Sequence, residues 1–577
     1  MGYYLYLPAY FLHHDLGLQN MSWLNEIMEK YHPTATLYQA WQLPSGMWIM
    51  KYSSGLAMFY APFFLIGHVF ALNMGFAADG FSLPYQYSIA FGGLVYTLIG
   101  LFFFRKVLIK FFSDKISTLI ILLICLGTNY FNQAANNGVM THNILFMMLA
   151  ILAFYTIKWH ENQRIKYMLL IGFTLGIITA VRPNEGIVIL IPLLWNITDK
   201  LSFRNKMNLL WNKKWQIVSA GFVFVLCVLP QMFYWKRYTG SWIFYSYNNA
   251  GEGFDLLSPH ILNFLFSFRK GWFIYTPIIL FSIFGFISLY KRNKDIFWPI
   301  LVYMVINFYL ISSWTCWWYA GGCFSARAIV SSYVFMALPL GYLLTALQKK
   351  KRMLKAISGF FFAFFILLNL FQTWQFSNGI ISSERMTARY YLSIFGRTSI
   401  HPEDLNLLSV ERSVESTEVF RNEQDYNYKM ISFWDFERAN ANFSSHIDSL
   451  HFYNGRHSLR LDSTYNFSPG AEISYYGITD KDYAWIRAGA YIYIDSSYNE
   501  ELPKLVITFL HKGQNYKYKT FGLSTSNVKY NQWNYISFDY QTPEVRSKLD
   551  RLAVYIWHRG KKPVYVDDIR VEVFEPR

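Results

Sequence analysis

Arg327 stands directly before an apolar stretch, AIVSSYVFMALPLGYLL, and shortly after the glycine pair Gly321-Gly322 in WWYAGGCFSAR. Bare backbone, the start of a helix and a guanidinium together make an anion site. The first N–H groups and the helix dipole favour negative charge, and a guanidinium grips a phosphate through two parallel hydrogen bonds. Arg182 in RPNE and Arg269-Lys270 in SFRKGW are further cations at the ends of apolar runs. For Arg269 and Lys270, as for Lys236 and Arg237, the phosphate reading competes with lipid-headgroup contact, the ordinary work of a cation at a helix end. Trp317 and Trp318 fit either a site or an aromatic belt. Acids and imidazoles are fewer. MGYYLYLPAYFLHHDLGL carries none before His13, His14 and Asp15; NNGVMTHN holds Asn137 and His142; Glu185 follows Arg182. Polar and ionisable groups at membrane depth are costly unless they line a cavity, so all of these are candidates for function.

The elements that position them are apolar. The chain has 577 residues, 53% hydrophobic, 20% aromatic and only 15% charged, against roughly 25% charged in soluble domains. The net charge of +16 is not a nucleic-acid footprint, because the basic residues gather in short gaps between apolar runs, as topology signals do. Ten runs are legible, at about 85–104, 116–132, 140–158, 167–181, 185–198, 215–235, 272–290, 296–313, 328–347 and 354–374. An eleventh, 55–74, is interrupted by Pro62 and His68 and reads as a helix lying at the interface. Alternate gaps are rich in Lys and Arg, which puts them in the cytoplasm and puts residues 1–84 and 375–577 outside. An exported head of that length needs a helix to export it, so this topology expects one further span before Met1. Cys125, Cys227, Cys316 and Cys323 lie in or beside apolar runs, so no disulfide framework is expected.

Residues 375–425 read as a polar, partly helical connector. From about 426 the pattern becomes alternation: SLRLDS, RAGAYIYI, KLVITFL, YKYKTF, WNYISFDY, LAVYIW and PVYVDDIRVEVF are short strands bounded by turn residues. Such a series without intervening helices predicts a β-sandwich. Asp567 and Asp568 read as a turn-closing pair rather than a Ca²⁺ site.

Five stretches in order carry a resemblance. YYLYLPAYFLHHDLG, KYSSGLAMFYAPFFLIGH, NNGVMTHNILFMMLAILAFY, GFTLGIITAVRPNEGIVIL, and FSFRKGWFIYTP with WWYAGGCFSARAIV resemble the loops and spans of GT-C superfamily membrane glycosyltransferases of an uncharacterised bacterial branch. Those polytopic enzymes take sugar from a polyprenyl-phosphate donor on the outer face of the membrane. FWDFE, NGRHSLRL and VYVDDIRVEVF resemble carbohydrate-binding jelly-roll modules. The resemblance implies an inverting transferase in a bacterial inner membrane, its sandwich on the periplasmic side, acting on a cell-envelope glycan, lipid or protein. It implies a base at Asp15, because the family's usual acid would fall at or before Met1. His142 falls on the position of an acid or histidine in the second loop, so that Asp15 and His142 would share a divalent metal, Mg²⁺ or Mn²⁺. Otherwise His142 is a helix-start histidine bonded to backbone. Arg327, Arg182, Arg269 and Lys270 would face the donor phosphate, supported by His13, His14, Asn137, Glu185, Trp317 and Trp318. The expected layout is a first loop at 1–84, a transmembrane domain at 85–374, a connector at 375–425 and the sandwich at 426–577. A lipid-linked-sugar flippase would show internal pseudo-repeats, which are not seen; a non-catalytic scaffold for the sandwich is the other alternative.

Overall fold

The computed structural model describes residues 1–34, 37–247, 252–318, 322–412, 420, 422–438, 442–524 and 526–577. They form two compact units, residues 1–248 with 254–408, and residues 409–577 with 249–253.

The first unit is helical. In chain order its main helices are α1 Gly55–Asn73, α2 Leu83–Leu108, α3 Asp114–Gly127, α4 Thr141–Asn162, α5 Ile165–Val181, α6 Pro183–Leu194, α7 Lys200–Asn212, α8 Lys214–Thr239, α9 Ile279–Arg292, α10 Lys294–Ser312, α11 Arg327–Leu347 and α12 Arg352–Ser377. Seven of them, α1, α2, α4, α8, α10, α11 and α12, are long and apolar enough to cross a membrane. The chain is a polytopic α-helical membrane protein with a C-terminal antiparallel β domain.

All ten apolar runs fall on helices, but four of those helices are short, and for two of the three breaks the reason is local. Arg182 (φ −146°, ψ 109°) and Thr276 (φ −138°, ψ 54°) leave helical geometry. Each precedes a proline, whose ring disfavours the α conformation at the residue before it. Thr128 (φ −127°, ψ 166°) ends α3 without a proline. There Asn369 of α12 donates to the carbonyls of Leu126 (2.8 Å) and Thr128 (2.9 Å), satisfying groups that the break sets free.

The run expected to be an interrupted helix at the interface is one continuous helix. Pro62 sits inside α1 without breaking it, and α1 is 19 residues long. It packs along α2, with the Tyr96 hydroxyl donating to the Phe59 carbonyl at 2.8 Å. Elsewhere small residues set the helix spacing: a Cβ at Gly172 would stand 2.3 Å from the Ala220 carbonyl, and one at Gly285 would stand 2.2 Å from that of Pro339. These contacts draw α5 to α8 and α9 to α11, as small residues do in membranes.

The second unit is two antiparallel sheets. The strands are β1 Tyr426–Trp434, β2 Ile447–Asp448, β3 Ser458–Leu461, β4 Ala471–Ser474, β5 Trp485–Ile494, β6 Lys504–His511, β7 Gln514–Gly522, β8 Gln532–Gln541, β9 Arg551–Trp557 and β10 Val564–Pro576. One sheet runs β8-β5-β10-β3-β2, with β1 also on β10; the other runs β4-β9-β6-β7. Ile486, Ala488, Ala490 and Ile492 of the first sheet share a core with Leu505, Ile507, Leu552 and Val554 of the second. The expected connector up to Leu408 belongs to the helical unit, where Ile380, Met386, Tyr390 and Ile394 pack with Tyr275 and Phe324.

Candidate functional site

The three backbone breaks and the start of α11 lie together. Trp272 Nε1 donates to the Tyr333 hydroxyl (2.9 Å), which donates to Asn129 Oδ1 (2.6 Å); this joins the break at Thr276, the residue after the first turn of α11 and the break at Thr128. That first turn, Arg327–Ser332, is a 3-10 helix rather than the regular α-helix start expected, and it packs against α4. Gly321 lies outside the described residues.

Cations converge here. Arg182 and Arg327 both lie within electrostatic reach of His142, and Arg327 and Arg269 within reach of Lys270. Lys270 is 3% exposed and donates to the Cys323 carbonyl. Burial pushes its pKa down, and the two neighbouring guanidinium groups add to the shift. Arg269 donates to the Glu384 carbonyl at 2.6 Å and lies 4.4 Å over the Trp318 ring. Trp317 and Trp318 are buried, so they do not form a lipid-facing belt; Trp318 orients a cation instead.

The acid of this cluster is Glu185. It is fully buried, within charge range of Arg182 and Tyr303, with Ser331 beside it but short of hydrogen-bond geometry. Both Glu185 oxygens, His142 Nδ1, Ser331 Oγ, Asn307 Oδ1, Asn129 Nδ2 and Thr276 Oγ1 are buried with no hydrogen-bond partner among the described residues. Asn307 Nδ2 and the Tyr303 hydroxyl both meet Ser332 Oγ, at 2.8 and 3.0 Å. A single unmatched buried polar atom costs about 1–3 kcal/mol, so such a concentration marks a place kept for something other than stability.

The opening His-His-Asp is placed differently. The His13 ring stacks on Trp23 at 4.1 Å, and His14 takes the left-handed conformation that turns the chain (φ 50°). Both Asp15 oxygens accept backbone N–H groups, from Gln19 and Asn20 at 2.9 Å. Asp15 thus closes a turn, and no contact among the described residues joins it to His142. Asn137 donates to Asn132 Oδ1 at 3.3 Å. The surroundings of His142 do not suit a divalent cation. Two guanidinium groups act on it, and among the described residues no group of three or more His, Cys, Asp or Glu gathers to hold a metal.

The β unit has a second candidate surface. On the open face of its larger sheet, cross-strand register sets Tyr565 and Trp533 beside Tyr493, and Tyr535 beside Tyr491. The loop between β2 and β3 lays His451 on Tyr565 (4.2 Å) and Tyr453 on Tyr491 (3.5 Å). Three carboxylates hold that loop by its backbone: Asp448 accepts from Leu450 and His451, Asp567 from Tyr453 (2.8 Å) and Asn454 (3.1 Å), and Glu437 from Arg456 and His457. Asp567 therefore holds a loop, close to the turn-closing role expected of it. Arg487 pairs with Asp539 and Glu423 further along the same face.

Asn129, Tyr303, Asn307 and Ser331 were not among the expected site residues. The one signal for them is a neutral polar side chain inside an apolar run. No protein-family model matches the chain and no curated protein matches it. Among solved structures it is similar to ArnT from Cupriavidus metallidurans bound to undecaprenyl phosphate, with 12% identity and a TM-score of 0.32 over 52% of this chain and 54% of that one. The match thus spans about half the length of ArnT. It is also similar to the CBM22-1 xylan-binding domain of Paenibacillus barcinonensis Xyn10C, with 12% identity and a TM-score of 0.18 over 26% of this chain and 99% of that one.

Proposed function

We propose that the protein is an integral-membrane glycosyltransferase that moves a sugar from a polyprenyl-phosphate donor to a hydroxyl of an envelope glycan, lipid or protein on the outer face of a bacterial cytoplasmic membrane. The observation that carries this reading is the convergence of Arg182, Arg269, Lys270 and Arg327, from three separate segments, on one cluster of unpartnered buried polar groups. Cations so placed stabilise the charge that grows on a phosphate leaving group. The acceptor oxygen attacks the anomeric carbon and the bond from that carbon to the phosphate oxygen breaks. The polyprenyl phosphate leaves with the electron pair, and the acceptor proton passes to a carboxylate. Of the two carboxyls considered, Glu185 lies inside the cluster and Asp15 caps a turn, so the base is assigned to Glu185. The β unit, on the same outer side, holds the acceptor glycan on the aromatic face around Tyr491, Tyr493 and Trp533, where rings offer stacking surfaces to sugars.

Arg327 tests the reading. In proteoliposomes supplied with a polyprenyl-phosphate sugar, Arg327→Ala is expected to lower donor turnover by about one to two orders of magnitude, the value of lost charge-assisted bonds to a buried phosphate. Arg327→Lys is expected to fall between it and the parent, because an ammonium is a point charge rather than a fork. Equal turnover in all three proteins removes the phosphate site.

A further inference from the structure

Helix α7 lies at the opposite, cation-rich end of the bundle, and the cluster described above makes no use of it. Its N-cap is built: Asp199 accepts from the Ser202 amide at 2.8 Å, and Ser202 returns a hydrogen-bond partner to the Asp199 amide. One residue turns inward. Lys206 is 4% exposed, and its ammonium meets His160 Nε2 at 2.5 Å and the carbonyls of Pro192 and Trp195 at 3.0 and 3.1 Å. This clamp ties α7 to the ends of α4 and α6 and fixes which face it presents. At about 100° per residue, Leu201, Arg204 and Trp211 fall on the opposite side.

That side is both apolar and basic. Leu201 is 67% exposed, Trp211 71%, and Trp215 in the next turn 74%. Lys200, Arg204, Lys213 and Lys214 have no carboxylate partner among the described residues, and Lys214 reaches only the Trp211 ring, at 4.8 Å. The one acid of the segment, Asp199, is spent on its cap. At the same end Arg105, Lys110 and Lys158 do have carboxylate partners, at 2.6, 2.9 and 3.1 Å. The segment therefore presents cations and large apolar side chains together, directly before the apolar helix α8.

We infer that α7 with the start of α8 is a docking surface for anionic lipid headgroups of the leaflet bordering this end. The charge is complementary, the exposed Leu and Trp side chains suit the headgroup–acyl boundary, and the Lys206 clamp holds the helix so that both reach the same plane. Each Lys or Arg near an anionic surface adds to the attraction, which falls off with salt.

The test uses the full chain purified from mixed bilayers of phosphatidylglycerol and phosphatidylcholine, with retained lipid read by native mass spectrometry. The variant K200Q/R204Q/K213Q/K214Q, which leaves Lys206 in place, is expected to lose at least about tenfold of the retained phosphatidylglycerol relative to phosphatidylcholine. The control K349Q/K350Q/K351Q/K355Q makes the same charge change in another loop of that end and is expected to retain it. Raising salt on the unaltered parent is expected to release the same lipid. Equal retention by parent and α7 variant, equal loss in both quadruple variants, or indifference of the parent to salt overturns the inference.

Discussion

The buried cluster of the helical unit and the aromatic face of the β unit are opposite solutions to placing polar chemistry. In the cluster, charged and amide groups are buried and many lack partners. On the sheet face the groups are partly open to solvent and matched: Arg487 with Asp539, and Tyr453 on Tyr491. A buried unmatched group is an unmet demand that a reacting substrate meets with force. A matched, exposed ring surface gives only modest and graded attraction. The first suits bond breaking and the second suits holding.

This contrast can be broken in order of size. Glu185→Gln, which keeps shape and removes the proton acceptor, is expected to lower transfer by about 10²–10⁴-fold, as loss of a general base does. Single-turnover measurement in proteoliposomes checks it, and parent-like turnover returns the base role to Asp15. On the β unit, Trp533→Ala or Tyr491→Ala is expected to weaken binding of a soluble envelope glycan by about tenfold, the scale of one lost ring contact. Transfer to a short acceptor should be unchanged; calorimetry on the full chain reads the first quantity and turnover the second. If both fall together, the ring face is not a holding surface independent of transfer.

The smallest effect concerns pH. Burial pushes the Asp567 carboxyl up to about 6 from its ordinary 3.8, outweighing the lowering by the amides that it accepts. The folded chain thus keeps a proton that the unfolded chain has already lost between those two values. From this group, stability falls as pH rises from about 4 to about 6 and is level above. Thermal unfolding of the β unit within the full chain is expected to show a drop of a few degrees across that window, and Asp567→Asn is expected to flatten it. A drop that survives the substitution assigns the pH dependence to another group.

Much of the architecture was legible because apolar length is a strong signal. All ten runs are helices, and the seven strand stretches read from alternation are strands. β1 was hidden because most of its residues are exposed, which leaves no alternation to read. Two of the three helix breaks fall before Pro183 and Pro277 and were open to the same argument, whereas the break at Thr128 depends on Asn369, more than two hundred residues away. The run 55–74 is a helix, α1, as read, and Pro62 lies inside it without interrupting it. Of the site, the charged members Arg182, Glu185, Lys270 and Arg327 stood out against apolar neighbours. Asn129, Asn307 and Ser331 did not, since one neutral polar residue in a span is ordinary. Asp15 drew attention as an isolated acid, but an aspartate beside a helix end is as often a turn former, and its two bonds to backbone amides show that use.

The unmatched groups around Glu185 carry a cost for the fold itself. Ser331 Oγ and one amide atom each of Asn307 and Asn129 are buried without a partner among the described residues, while Asn307 Nδ2 and Asn129 Oδ1 hold Ser332 and Tyr333. The bundle is therefore expected to gain heat resistance when those atoms are matched, and occupancy by a substrate is coupled to folding: a ligand that binds only the folded chain raises the melting point with its concentration. Ser331→Ala, which removes only an unpaired buried hydroxyl, should raise the melting point and lower transfer together, so that thermostable variants of this chain will be found among the inactive ones.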